Sequence, residues 1–402
     1  MSNKISRRSF LKYSGAGILF TALARLDPQW ASATDTESAV TSRVHVHTFN
    51  PQLTGAQQAV QDTLLAATDL SWLNQGDSVF VKVACNSNLA PPSVTSPNAV
   101  SGVVQALLAA GAGTVYVGDM SGAMFVRHLA EDGFGSTRDN MREVGLLQAA
   151  EEAGATVHCF EEVPFEEAYV AGVPNGEHHW GEELQVAAIL DDVDHIINLP
   201  RLGKHVLAGM TLGLKSSVGW ISDHSRMVLH RDGDTFQEKI AEINAIPQIA
   251  GKTRLTLTLV DKILTTYGPD AGYHLPLQHP LIIASEDAVS HDQIALVTLL
   301  WGRRQTPEDV READPYPNQS DGFNAWFVGT TWGEEAAAAY KTMPTFDNLA
   351  AADGATHINY AYQLLNGGRP DRIEVIPGGM QLDWVLGDMF VADPDLNIVL
   401  NS

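Results

Sequence analysis

The sequence has little cysteine. Cys85 and Cys159 are the only two among 402 residues. Two thiols cannot supply the four thiolate ligands that an iron–sulfur cluster usually takes, so we predict no iron–sulfur cluster. The sequence leaves open whether the two cysteines form one disulfide or remain two separate buried thiols.

Positive charge is also scarce. The chain has 25 lysine and arginine residues against 48 aspartate and glutamate residues, and its formal net charge is −23. A surface this acidic repels nucleic acid and anionic lipid. We therefore predict no nucleic-acid partner, and no membrane association of the mature protein.

The only apolar run that resembles a membrane segment lies near the N-terminus. Residues 6–12 (SRRSFLK) form a twin-arginine export motif, residues 15–26 are apolar, and residues 31–33 (ASA) resemble a cleavage site. The run is too short and too weakly apolar for a lasting membrane span. The pattern predicts a removable signal peptide over residues 1–33, the twin-arginine translocase as a partner during export, and a periplasmic or extracellular protein.

The next part of the chain alternates between strands and helices. A buried strand over residues 77–85, a helix over residues 99–110 and a strand over residues 114–119 predict a βαβ unit with parallel strands. Residues 44–49 alternate in polarity and predict an edge strand. We predict an α/β fold with a Rossmann-like, mostly parallel sheet and helices on both faces. Its main domain is predicted over residues 44–302, and a C-terminal α/β extension over residues 303–402 is predicted to pack on it.

Several polar residues fall at or near predicted strand ends. Lys82, Asn86 and Asp119 follow the first two strands of the βαβ unit, and Asp261 ends a later one. Ligands of parallel sheets bind beyond the carboxyl ends of the strands, which makes the first three candidate cofactor-binding residues. Residues 118–122 (GDMSG) lack the glycine triplet of a dinucleotide-binding turn, so we predict no NAD.

Basic residues and histidines are concentrated between residues 195 and 234, in an otherwise acidic chain. They are Arg201, Lys204, His205, Lys215, His224, Arg226, His230 and Arg231. One interpretation is a solvated basic loop. The other is a pocket for a small anionic molecule or a metal, in which a lysine binds a carboxylate and histidines transfer protons or bind metal.

The order of these motifs resembles the domain-of-unknown-function family 362 over roughly residues 78–302. The matching features are the Lys82 strand, the helix ending in residues 109–112 (AAGA), Gly118-Asp119, residues 197–200 (INLP), Lys204-His205, residues 213–215 (GLK), Gly219, Val260-Asp261, Gly268-Pro269, and residues 285–292 leading to Trp301-Gly302. The resemblance supports the α/β fold but implies no settled activity.

A more distant similarity is to lactate racemase, a nickel-pincer enzyme. His205 and Lys215 are ten residues apart and His230 follows fifteen residues later, which is similar to the spacing in that enzyme. This similarity implies that Lys215 anchors a cofactor, that His230 binds a metal and that His205 acts as an acid or base. His128 is the candidate for the enzyme's further catalytic histidine, and the glycine and proline pattern after its lysine is absent here.

These features lead to one main functional hypothesis and two alternatives. We expect an exported metal- or cofactor-dependent enzyme that acts on a small carboxylate in a His/Lys crevice. The catalytic candidates are His205 and Lys215; the cofactor-binding candidates are Lys82, Asn86, Asp119, Lys204 and Lys215; the metal-binding candidates are His205, His224 and His230. The alternatives are a non-catalytic periplasmic solute- or metal-binding protein and an accessory factor of an exported redox enzyme.

Overall fold

A computed structural model describes residues 41–181, 184–314, 321–339, 356–379 and 398–400. The predicted signal peptide over residues 1–33 lies outside the described residues, as does part of the predicted C-terminal extension. Among the residues described, no helix is long and apolar enough to span a membrane. Cys85 and Cys159 are both buried free thiols.

Thirteen strands form the sheets in the described ranges. They are β1 (Thr41–Thr48), β2 (Ser78–Val83), β3 (Thr114–Asp119), β4 (Thr156–Cys159), β5 (Tyr169–Gly172), β6 (Leu184–Ala187), β7 (His195–Leu199), β8 (Gly203–His205), β9 (Gly209–Thr211), β10 (Thr253–Leu264), β11 (His274–Ser285), β12 (Arg372–Gly379) and β13 (Ile398–Leu400). The main sheet has the order β13-β12-β1-β11-β10-β7-β2-β3-β4. Most neighbours in it are parallel, and β11 is antiparallel to both β1 and β10. The predicted mostly parallel α/β fold is confirmed.

The helices surround this sheet. They are α1 (Ala56–Ala67), α2 (Pro97–Ala110), α3 (Thr137–Glu143), α4 (Leu146–Glu152), α5 (Phe165–Ala168), α6 (Ile189–Asp192), α7 (Gly213–Ser216), α8 (Asp223–Arg231), α9 (Phe236–Ile243), α10 (Pro247–Ala250), α11 (Ala288–Gln305), α12 (Glu308–Glu312), α13 (Asp321–Trp332), α14 (Glu334–Ala339) and α15 (His357–Asn366). Short 3₁₀ turns cover Phe160–Glu162 and Ser217–Trp220.

Strand β2 shows that both faces of the sheet are covered. Val79 and Val81 belong to a core cluster that includes residues of α1, α2 and α4. Phe80 belongs to a different cluster, with Phe160 and Trp220. Because alternate residues of a strand point to opposite faces, Lys82 lies on the face of Phe80, near the carboxyl end of the strand.

Strand β1 differs from the prediction. It was expected to be an edge strand, but it pairs with β11 on one side and with β12 on the other. Its alternation is still visible, because Val44, Val46 and Thr48 are buried. The prediction was wrong because β12 comes from the distant C-terminal part of the chain, and a local pattern contains no information about that pairing.

Candidate active site

A cavity of about 120 Å³ lies beyond the carboxyl ends of β2 and β3, and part of the chain that follows β7 covers it. Six of the predicted site residues line it: Lys82, Asn86, Asp119, His205, Lys215 and His230. Arg201, Arg226, Asp270 and Trp332 also contribute to the lining. The parallel strands bring these residues together because their carboxyl ends share one edge of the sheet.

Lys82 and Asp119 form a buried ion pair at the base of the cavity. The Nζ of Lys82 lies 2.6 Å from Oδ1 of Asp119 and donates a 2.8 Å hydrogen bond to the carbonyl of Val83. The other carboxylate oxygen of Asp119 accepts the backbone N–H of Cys85 at 2.7 Å. Burial lowers the pKa of Lys82, and the charge of Asp119 opposes that shift. Gly219 passes so close that a Cβ there would lie 2.4 Å from both charged groups.

A second polar group joins three segments at the rim. Asn86 donates from Nδ2 to both carboxylate oxygens of Asp270, at 2.7 and 2.8 Å. Arg201 donates from Nη1 to the carbonyls of Ser93 and Pro269, and its Nη2 lies 3.9 Å from Oδ1 of Asp270. Among the described residues, Nη2 and Nε of Arg201 have no hydrogen-bond acceptor, so they remain available to a ligand.

Arg226, in contrast to Arg201, binds backbone carbonyls with most of its guanidinium donors. Its guanidinium donates to four backbone carbonyls, those of Met120, Ser121, Val218 and Gly219, at 2.7 to 3.2 Å. It therefore holds the segment after β3 against the turn after α7. Its positive charge contributes to the cavity, but most of its donors are already occupied.

His205 presents a hydrogen-bond donor to a ligand. Its Nδ1 accepts the backbone N–H groups of Leu207 and Ala208, at 3.1 and 3.2 Å. Nδ1 therefore carries no proton, and the proton of the neutral ring lies on Nε2. Burial, followed by the charges of Lys215 and Arg201, holds the pKa of His205 well below its ordinary value, so the ring is neutral.

His230 has the opposite arrangement. Its Nδ1 donates to the carbonyl of Arg226 at 2.6 Å, which leaves a lone pair on Nε2. Its ring stacks on Trp332 of α13, with centroids 4.3 Å apart and planes 16° apart. Burial lowers the pKa of His230 to about 3, so this ring is neutral as well. The cavity thus has one imidazole donor and one imidazole acceptor.

Lys215 is the cation of this cavity without a partner. Among the residues that the structure describes, no carboxylate or carbonyl pairs with its Nζ. Burial lowers the pKa of Lys215 to about 7, and repulsion by Arg201 and Arg226 adds to the shift. A large fraction of the amine is consequently neutral near pH 7, and a neutral amine is nucleophilic.

A buried carboxylate fixes the short helix that carries Lys215. Asp292 of α11 accepts the backbone N–H groups of Gly213 and Leu214, both at 2.7 Å. Oδ1 of Asp292 also lies 2.9 Å from Nδ1 of His291, and both side chains are fully buried. A Cβ at Gly213 would lie 2.7 Å from Asp292 Oδ1, so this contact requires glycine. Lys215 is therefore positioned through its backbone.

Two predicted site residues lie outside the cavity lining. His224 is exposed on α8. It is six residues from His230 on the same helix, which places the two side chains about 120° apart around the helix axis. Lys204 is buried in β8 and does not line the cavity either. His128, the further histidine candidate, hydrogen-bonds to Tyr169 through Nδ1 and is likewise not part of the lining.

The donor set does not form a metal site built from protein ligands alone. Within the described part of the chain, no group of three or more histidine, cysteine, aspartate or glutamate side chains could hold a metal ion. The free ring nitrogen of His205 carries a proton, and the carboxylates of Asp119 and Asp270 are engaged by Lys82 and Asn86. His230 offers one lone pair, and Lys215 offers an amine. These two groups suit a metal that arrives within an organic cofactor.

Sequence reasoning missed several residues that shape the site. Asp270 lies in a glycine- and proline-rich turn after β10, and Asp292 begins the second turn of α11. The turn composition was the only signal for Asp270. Asp261 was predicted to end a strand that could face the crevice, but β10 continues to Leu264 and Asp261 does not line the cavity.

Comparison with solved structures finds distant similarities. The structure is similar to a Thermotoga maritima protein solved by the Northeast Structural Genomics Consortium, with 13% identity, 86% of this chain and 90% of that chain covered, and a TM-score of 0.38. It is also similar to the lactate racemase apoprotein from Thermoanaerobacterium thermosaccharolyticum, with 10% identity, 89% and 94% covered, and a TM-score of 0.40. These values do not establish a shared activity. No curated protein matches the sequence.

The family match is more direct. The profile of the family described as Domain of unknown function (DUF362) matches residues 79–297, which is more than half of the chain. This range agrees with the resemblance over residues 78–302 and confirms it. The chain belongs to the DUF362 family.

Proposed function

We propose that this protein is an enzyme that binds a small carboxylate in the cavity and moves a proton on it. The observation that supports this most directly is the pair of neutral histidines. His205 offers a ring N–H, and His230 offers a ring lone pair. Both rings line the same cavity as the unpaired amine of Lys215.

The charges of the cavity favour an anionic ligand. Lys82, Arg201 and Arg226 are cationic, whereas Asp119 and Asp270 are the two carboxylates of the lining. Lys215 adds a further positive charge when it is protonated. This excess of cations lies within a chain of net charge −23, so it is a local feature of the site. Arg201 is the best carboxylate-binding group because its Nη2 and Nε remain available.

The cavity volume indicates how large a ligand the cavity can enclose. The cavity volume of about 120 Å³ is the space open to the centres of water-sized spheres. One water requires about 10–15 Å³ of such space, so the cavity holds roughly ten waters. A substrate with about as many non-hydrogen atoms fits this space. Small hydroxy, oxo and amino acids are in that range, whereas nucleotides and peptides are larger.

The two histidines indicate the class of reaction. The Nε2–H of His205 can donate to an oxygen of the ligand, and the Nε2 lone pair of His230 can accept a proton or a hydrogen bond. Proton abstraction next to a carboxylate needs both actions, since negative charge develops on the oxygens as the proton leaves. A racemase-like proton transfer is therefore the reaction class that we propose.

A metal-bearing organic cofactor is compatible with the same residues. Lys215 would attach it through the amine, and His230 would hold its metal through Nε2. When bound, such a group would supply an electron-accepting centre. The Nε2–H of His205 would remain available to orient the substrate.

We also infer that the chain is exported by the twin-arginine translocase and acts in the periplasm or outside the cell. The support is the sequence motif over residues 6–12. Replacing both Arg7 and Arg8 by lysine should retain the protein in the cytoplasm of the native host, as measured by cell fractionation. Export of this variant at the wild-type level would overturn the inference.

The function is tested on protein purified from its native host. Calorimetric titration with pyruvate and lactate should give saturable binding to the wild type. Binding should weaken at least tenfold in Arg201→Met and remain unchanged in Lys262→Met, because Lys262 is exposed and does not line the cavity. If neither acid nor any other small carboxylate binds, the proposal is wrong.

Elemental analysis and intact mass on the same sample test the cofactor. A stoichiometric metal, or an added mass that is lost in Lys215→Ala, would support a cofactor bound at Lys215. A metal-free protein of the bare polypeptide mass would exclude a covalently loaded metal cofactor and leave proton transfer to the side chains.

A further inference from the structure

We propose that Lys215 forms an imine with the carbonyl group of a 2-oxo acid whose carboxylate is bound by Arg201. This inference rests on the proposed carboxylate site and deepens it by naming the substrate class. It requires three features in one cavity: an amine without an internal partner, a free guanidinium edge and a donor for the carbonyl oxygen. The described residues provide all three.

The first feature is the amine. The other cations of the lining are held by protein acceptors: Lys82 by Asp119, and Arg226 by four backbone carbonyls. Lys215 has no such acceptor among the residues described. Burial, followed by repulsion from Arg201 and Arg226, makes its protonated form unfavourable and lowers the pKa of Lys215 to about 7. A lysine that is desolvated beside other cations is a pattern found in imine-forming enzymes.

The second feature is the binding edge of Arg201. Nη1 is occupied by the carbonyls of Ser93 and Pro269, which fixes the plane of the guanidinium. Nη2 and Nε remain without a hydrogen-bond acceptor among the described residues, and Arg201 is only 5% exposed. A carboxylate bound there would be desolvated and paired, as a planar guanidinium favours.

The third feature is the pair of histidines. As the nitrogen of Lys215 attacks the carbonyl carbon, a C–N bond forms and the carbonyl electrons move to oxygen. The Nε2–H of His205 donates a hydrogen bond to that oxygen, and Nε2 of His230 accepts the proton that leaves nitrogen and returns it to the oxygen. The C–O bond then breaks as the C=N bond forms. Both amine protons leave with the oxygen as water, so no oxidant or reductant is needed.

The imine would explain why the lysine is positioned so firmly. Asp292 fixes the backbone of α7 through Gly213 and Leu214 without contacting the amine itself. The backbone that carries the amine is thus held in place, while no hydrogen bond from the described residues occupies the amine nitrogen.

Reductive trapping tests the proposal. The protein is incubated with pyruvate and sodium borohydride, and the product is analysed by intact mass and peptide mapping. We expect one reduced pyruvate adduct per chain, located on Lys215. It should be absent from Lys215→Met, reduced at least tenfold in Arg201→Met, and unchanged in Lys262→Met. Acetone, which has the carbonyl but no carboxylate, should trap at least tenfold less.

Three results would overturn the imine. They are no adduct despite saturable pyruvate binding, adducts spread over surface lysines, and a purified protein in which Lys215 already carries a covalent group. If pyruvate and lactate bind competitively but pyruvate is not trapped, the carboxylate site stands and only the imine fails. If neither acid binds, the carboxylate site itself fails.

Discussion

Two lysines line the cavity, the buried Lys82 and the half-buried Lys215, and their environments are opposite. Lys82, near the end of β2, lies 2.6 Å from the carboxylate of Asp119 and donates to a backbone carbonyl. Lys215, in α7, has no such partner among the described residues, and its backbone is fixed by Asp292. A lysine held by a carboxylate is part of the structure of the site. A lysine held only through its backbone has a free amine, and we therefore assign the chemistry to Lys215.

The largest difference in unfolding free energy should appear between the variants in which Lys82 or Lys215 is replaced by methionine. Lys82→Met leaves Asp119 as a buried, unpaired charge, which should cost about 3–5 kcal/mol of unfolding free energy. Lys215→Met leaves no unpaired carboxylate and removes a cation that burial disfavours, so it should not destabilise the protein. Urea denaturation measures both.

The double variant Lys82→Met, Asp119→Leu serves as the control for that pair. It removes both charges together and should recover most of the loss, because no buried charge remains unpaired. If Lys82→Met and Lys215→Met lost the same unfolding free energy, the two lysines would not differ in their structural role.

The second effect concerns Asp292. In Asp292→Asn the amide group must face one of the two backbone N–H groups that the carboxylate accepts, so we expect a loss of about 2–3 kcal/mol. The yield of pyruvate trapped at Lys215 should also be lower in Asp292→Asn than in the wild type. Asp287→Asn is the matched control, since Asp287 accepts a hydrogen bond from the backbone N–H of Val289 in α11 and does not line the cavity. Wild-type trapping in a folded Asp292→Asn protein would mean that Asp292 does not position the amine of Lys215.

The third effect concerns the close approach of Gly219 to the ion pair. Gly219→Ala places a Cβ within 2.4 Å of Lys82 Nζ and Asp119 Oδ1, so the pair must shift. We expect a destabilisation of about 1–2 kcal/mol in thermal or urea unfolding. Gly181→Ala has open space around its Cβ and should be close to neutral. An unchanged unfolding free energy in Gly219→Ala would show that the Lys82–Asp119 ion pair can shift at no cost.

The smallest effect is a pH dependence. The folded pKa of Lys215, about 7, lies below its unfolded value. Between these values the unfolded chain binds a proton that the folded chain does not, so stability rises with pH. From pH about 7 to about 8, wild type should gain up to about 1 kcal/mol relative to Lys215→Met. Parallel stability curves for the two proteins would contradict the lowered pKa.

The sequence allowed part of the site to be predicted. Lys82, Asn86 and Asp119 were found because parallel strands present their carboxyl ends at one edge. The segment that contains His205, Lys215 and His230 was predicted because basic residues and histidines are unusual in an acidic chain, and these three were selected in it by the resemblance in spacing to lactate racemase. Asp292 gave no such signal, since an aspartate near the start of a helix is common and its partners lie about 80 positions away.

The sequence by itself determined the alternation of strands and helices, and with it the mostly parallel sheet and the edge at which the cavity lies. Local polarity patterns and strand ends are sufficient for that. Tertiary structure alone decided which ring nitrogen each histidine leaves for a ligand and which lysine lacks a partner. It also excluded His224 from the cavity and placed β1 inside the sheet. These properties depend on hydrogen bonds and ion pairs between distant segments, and such contacts are set only when the whole chain is packed.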